Sequence, residues 1–186
     1  MPLSLPQRRR QAFHRRTIEC RGYQREDCLW DIETHLTDTK DYPFQTLSRG
    51  ELPPDEAVHD MWLRVTIDDD FFIHEVEAAI DASPFEMCPN AVNKMQMLKG
   101  LRITTGWNRQ IKERLGGVKG CTHLTELLGP LATTAFQTIY PATRARRAQQ
   151  EMINPDQKPK IVDTCHVFAT DSPVVKRYWP RFYNGK

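Results

Sequence analysis

Five cysteines and six histidines are scattered along the 186 residues without a Cys-x-x-Cys pair. Four places set such side chains at the predicted end of a secondary-structure element. His59-Asp60 stands at the entry to an alternating apolar run, and His59 shares the parity of Met61 and Leu63, so it faces the covered side. Cys88 precedes a helix, where unpaired amides and the positive dipole end favour a thiolate. Gly120-Cys121-Thr122-His123 opens a longer helix in the same manner, and Cys165-His166 lies in the tail. Thiolate sulfur and imidazole nitrogen suit Zn or Fe. A structural site closes with about four ligands, whereas a catalytic one keeps three and an open position. The ligand candidates are therefore His59, Cys88, Cys121, His123 and His166. Each has a plainer reading beside it: His59 as a core histidine satisfied by Asp60, Cys121 and Cys88 as small buried hydrophobes, His166 as packing.

Carboxylates are the second ingredient. Glu126 follows His123 by three residues, on one helix face, where it could orient the imidazole or serve as a general base. Asp31, Glu33 and His35 share one strand face, with Asp38 just beyond on the opposite parity. That face is either solvated or lines a pocket. Glu126, His59, Asp60 and His35 form the candidate catalytic set. Cys20 and Cys28 read as structural, His14 and His74 as exposed.

The elements that must position these residues are strands first and helices afterwards. Two strand-like runs, Thr17 to Arg25 and Leu29 to Lys40, are joined by the turn Glu26-Asp27. In the second, Trp30, Ile32, Thr34 and Leu36 alternate with polar residues. A polar loop with Gly50 and Pro53-Pro54 follows. Then Met61, Leu63, Val65 and Ile67 define a strand, Asp68-Asp69-Asp70 a turn, and Phe71 to Ile80 the hairpin partner. Helices are predicted over Ala91–Lys99, with Val92, Met95 and Leu98 inward, and over Trp107–Leu115. A third runs from Leu124 to Ile139 and is kinked at Pro130. The result is an α+β domain, an antiparallel sheet packed by about three helices. Residues 1–16 read as a basic, flexible N-terminus, 17–154 as the domain, and 155–186 as an irregular extension wrapped on it.

Composition narrows the function classes. The chain is 39% hydrophobic with a net charge of +2, which supports a core and excludes wholesale disorder. No window is apolar enough to span a membrane, and the arginine-rich start has no apolar signal region, so reduced thiols and a cytoplasmic location are expected. The arginines of residues 8–16 lack the aromatic-interleaved basic stripe of a nucleic-acid interface. P-loop, G-x-G-x-x-G, G-x-S-x-G and H-E-x-x-H signatures are absent, so no nucleotide cofactor is expected.

Two resemblances add to this. The stretches Gly22–Lys40, Val58–Asp68 and Gly120–Leu127, with Asp163-Thr164-Cys165-His166 and Ser172-Pro173-Val174-Val175, resemble the bacterial family termed domain of unknown function 2889. The resemblance covers nearly the whole chain from about Arg15. It implies a genetic setting among genes for aromatic-acid and phenylpropanoid breakdown. Cys28 departs from it, standing where the family's turn is expected to carry Gly. The order of Leu63–Ile67, Asp68–Asp70, Cys88, Lys99-Gly100 and Cys121 is similar to the NifU/IscU-type iron–sulfur scaffold proteins. That likeness implies Cys88 and Cys121 as ligands and sets His59 near the first ligand region, where the scaffold's own Cys is missing.

The leading expectation is a small, metal-dependent enzyme, a lyase or hydrolase with one Zn or Fe ion, acting on a small aromatic or phenylpropanoid-derived substrate. A metal-free variant would use His59 or Cys121 as base or nucleophile. The alternatives are an iron–sulfur or metal carrier and a non-catalytic small-ligand binding protein. Neither membrane nor nucleic acid is expected as a partner, and a homodimer stays open.

Overall fold

The computed structural model describes residues 3–185, apart from the side chains at 147 and 150–153. Two compact units divide the chain, Met1–Ile139 and Tyr140–Lys186.

The first unit is built on a four-stranded antiparallel sheet in the order β1-β2-β5-β6. Its strands are β1 (Arg15–Gln24), β2 (Trp30–Thr39), β5 (Ala57–Ile67) and β6 (Ile73–Ala82). Alternation in β2 and β5 buries Trp30, Ile32, Leu36, Met61, Leu63, Val65 and Ile67 on one face. The opposite face carries Glu33, His35, Trp62 and Arg64 and stays partly solvated. The β1–β2 turn holds Cys28 at φ 66°, the left-handed region in which glycine is at ease. A glycine is therefore the residue this turn favours.

The stretch expected to be a polar loop contains a second, two-stranded sheet, β3 (Phe44–Gln45) with β4 (Glu51–Leu52). Its turn is held by Thr46, whose hydroxyl donates to the Gly50 carbonyl and accepts from the Arg49 amide. Such short strands leave too few residues for a period to show.

Helices cover the apolar face. The Val92, Met95, Leu98 spacing is a repeat of three, and Cys88–Leu98 is a 3-10 helix rather than an α-helix. Helix α1 (Trp107–Leu115) buries Trp107, Ile111 and Leu115, and its termini agree with the sequence pattern. The expected long helix is two helices, α2 (Thr122–Glu126) and α3 (Leu128–Ala142). Pro130 cannot donate to the Glu126 carbonyl, so α2 stops there. In α3 the same proline sits in the first turn, where no donor is needed. The break thus falls at Leu127 and not at Pro130. A methyl group at Gly22 of β1 would lie 2.0 Å from Thr138 Oγ1 of α3, so only glycine permits this close approach.

The second unit contains α4 (Arg144–Ile153) and α5 (Pro173–Tyr178). Ser172 caps α5 by accepting from the Val175 amide, with Pro173 at the first helical position. Phe168 meets Trp179 edge to face at 6.0 Å. The boundary before Tyr140 places residues 140–154 in this unit, not in the main domain. Arg15 and Arg16, expected in a flexible N-terminus, are the first residues of β1. Among the described residues no helix is long and apolar enough to cross a membrane.

Candidate functional site

Three adjacent strands set Arg16, Asp38 and His59 directly opposite one another: Arg16 pairs with Asp38 between β1 and β2, and Asp38 with His59 between β2 and β5. Asp38 continues the inward parity of Trp30, Ile32, Thr34 and Leu36 and is 1% exposed. Beyond this row β5 bulges, since Thr39 pairs with Ala57 and Val58 is left over. Helix α2 brings in the rest. His123 lays its ring 3.8 Å from that of His59, tilted by 32°. Glu126, one turn further, forms an ion pair with Arg16.

Asp38 is the hub. Arg16 donates to it in a fork, Nε to Oδ1 at 2.8 Å and a terminal nitrogen to Oδ2 at 2.7 Å. His59 Nδ1 lies 3.0 Å from Oδ2, and His14 Nε2 lies 3.1 Å from Oδ1. A carboxylate has about four acceptor positions, and the two Arg16 bonds with His59 and His14 occupy them.

The electrostatics follow from burial and from Arg16. Burial alone would raise the Asp38 pKa, but the hydrogen bonds and charge of Arg16 outweigh it and hold the carboxyl below the usual range. Arg16 in turn is held protonated by its Asp38 hydrogen bonds. Burial pushes His59 down, with His123 adding to the effect against the opposing pull of Asp38. His123 is pushed down by burial and then by the Arg16 charge. Both imidazoles are thus biased toward the neutral form, the form that binds metals or accepts protons.

One ligand atom from each of Asp38, His59 and His123 lies within 4.8 Å of the other two. Tetrahedral zinc with bonds of about 2.1 Å sets its ligands about 3.4 Å apart, so small side-chain rotations would close the set. These residues open into a cleft of about 450 Å³, walled by Phe44, Leu47, Val58, Pro84 and Phe85, with His14 and Lys40 also lining it. A larger depression of about 530 Å³ lies elsewhere, among Arg25, Asp31, Arg64, Glu75 and Glu77. It holds no imidazole or thiol, and Arg64 and Arg25 are ion-paired with acids there, so the smaller cleft is the chemically equipped one.

Of the residues expected from the sequence, the structure brings His59 and His123 together, with Glu126 joined through Arg16. His35 and Asp60 pair with each other, Nε2 to Oδ1 at 2.6 Å, and lie on the other face of the sheet from His59. Cys121 packs against the core before α2. Cys88 is half-buried at the start of the 3-10 helix. Neither cysteine belongs to the three-residue ligand group found among the described residues. His166 belongs to the second unit, where it is exposed. Asp38, Arg16 and His14 were missed. Asp38 carried a signal, an acid on the parity of the buried face; Arg16 carried none, because its partners lie 22 and 110 residues away.

No curated protein and no solved structure matches the chain, so its scaffold-like order of elements rests on the sequence alone. A family model described as "Protein of unknown function (DUF2889)" matches residues 14–137, a span that contains every residue lining the cleft. The chain belongs to this DUF2889 family.

Proposed function

We propose that the protein is a small metal-dependent enzyme, a hydrolase or lyase, whose Zn or Fe ion is held by His59, His123 and Asp38 at the base of an apolar cleft. The observation that carries this is the meeting of two neutral-biased imidazoles and a buried carboxylate within 4.8 Å. Three protein ligands beside an open cleft make a catalytic rather than a structural pattern. An ion there would polarise a substrate carbonyl or hydroxyl, or acidify a bound water. Arg16 fixes the carboxylate, and the walls of Phe44, Val58 and Phe85 suit a small aromatic body. Two imidazoles and a carboxylate are unlike the thiolate sets of iron–sulfur scaffolds.

The test is elemental analysis of the dialysed protein. The wild type is expected to hold about one equivalent, lost in His59→Ala and His123→Ala but kept in Cys121→Ala. Retention in both histidine variants would sink the proposal.

A second reading is favoured by the 3.0 Å contact between His59 Nδ1 and Asp38. With the proton on Nδ1 held by Asp38, Nε2 is free to act as a general base without metal. Chelator-resistant turnover that is lost in Asp38→Asn would select this reading.

A further inference from the structure

Resting on the reading of the cleft as a substrate site, we infer that it binds carboxylates with a flat apolar body, and that Lys40 is the residue that binds the carboxylate.

Two side chains lining the cleft carry a fixed positive charge, Arg16 and Lys40. Arg16 is committed to Asp38 and Glu126 on either side. Lys40, next to the last residue of β2, is half-buried and has no carboxylate within ion-pair distance among the described residues. Its ammonium lies over the Phe44 ring, 5.3 Å from the centroid, a contact that positions it without neutralising it. Asp38 is the acidic residue lining the cleft, and Arg16 already balances it. Lys40 is therefore the fixed cation lining the cleft that no carboxylate among the described residues neutralises, and it stands beside an apolar wall.

The roof has the complementary defect. Leu47 is 89% exposed and Phe85 46% exposed, although both border the cleft. Their loops are joined by the Ser48 hydroxyl, which donates to the Pro84 carbonyl. An apolar body under Leu47 and Phe85 would cover both side chains, while its carboxylate reached Lys40.

The experiment is calorimetric titration of the full-length protein with naphthalene-2-carboxylate and with naphthalene-2-carboxamide, the same body without the charge. The carboxylate is expected to bind about tenfold or more tightly than the amide. Lys40→Met should remove that preference and leave the amide unchanged; Lys40→Arg should restore it. Equal affinity for acid and amide, an unaltered preference in Lys40→Met, or no saturable binding of the acid would each overturn the assignment. Repeating the titrations on His59→Ala separates the two proposals. A preference for the acid that persists in a variant still holding its metal would leave Lys40 standing while the metal site fails.

Discussion

The sheet carries two His–Asp pairs between the same two strands, one on each face. On the covered face Asp38 comes from β2 and His59 from β5; on the open face the origins are exchanged, with His35 from β2 and Asp60 from β5. The open pair is shorter, 2.6 Å against 3.0 Å, so distance does not mark the pair at the cleft. What differs is the surroundings. His35 stacks on Trp62 at 3.6 Å, with its side chain 23% exposed and that of Asp60 29% exposed, so water screens both. His59 and Asp38 are joined by a guanidinium, a second imidazole and an apolar cleft, and there burial pushes His59 and His123 down while Arg16 holds Asp38 below its ordinary value against burial. The same two residue types therefore make a surface contact on one side and a candidate centre on the other.

Removing the carboxylates should separate the faces most. Asp38→Ala leaves Arg16 and His59 without their shared acceptor and is expected to cost about 3–5 kcal/mol. Asp60→Ala, on a solvated face, should cost about 1 kcal/mol or less. Urea denaturation of both variants is the measurement, and equal losses would erase the distinction.

Zinc provides the next largest contrast. At a free concentration about a hundredfold above its dissociation constant, a site in the native state alone adds about 2.7 kcal/mol of stability. Thermal melts should show that gain in the wild type and in His35→Ala, and lose it in His123→Ala. A gain abolished by His35→Ala instead would move the site to the wrong face.

Acid should act through the covered face. The native pKa values of His59 and His123 lie below their ordinary 6.5, so the unfolded chain takes up protons first as pH falls through about 6.5, and stability declines. Asp38 acts in the same direction at lower pH: its contribution is present above about 3.8 and is lost as pH falls through its depressed native value. Arg16 lowers both imidazoles, so Arg16→Met should move their titrations upward, more for His123 than for His59, where Arg16 is the last of the causes. Proton–carbon NMR of the ring protons reads this directly. Unmoved titrations would show that Arg16 does not govern the pair.

The smallest effect is expected from the His35–Trp62 stack. A double-mutant cycle with His35→Ala and Trp62→Ala should give a coupling of about 0.5–1 kcal/mol. A coupling several times larger would make the open face more than a surface contact.

The strand pattern of β2 and β5, the span of α1 and the inward direction of His59 were legible because each depends on local geometry, side-chain parity or a helical repeat. His123 and Glu126 were legible as neighbours on one turn for the same reason. Asp38 was half-legible, since its parity placed it with Leu36 although its charge suggested solvent. The thiols misled. Cys121 stands before a helix, yet it packs on the core, the common fate of an unoxidised cysteine. The small β3–β4 hairpin, which helps to wall the cleft, left no periodic trace.

By itself, then, the sequence determined the four long strands, the span of α1, their inward faces and a pool of imidazoles, thiols and carboxylates. Which members of that pool meet was decided by strand pairing. Register put Arg16, Asp38 and His59 in one row, and the packing of α2 on that row placed His123 over it. Pairing joins residues far apart in the chain, and their chemistry depends on burial, which no local pattern of residue types encodes.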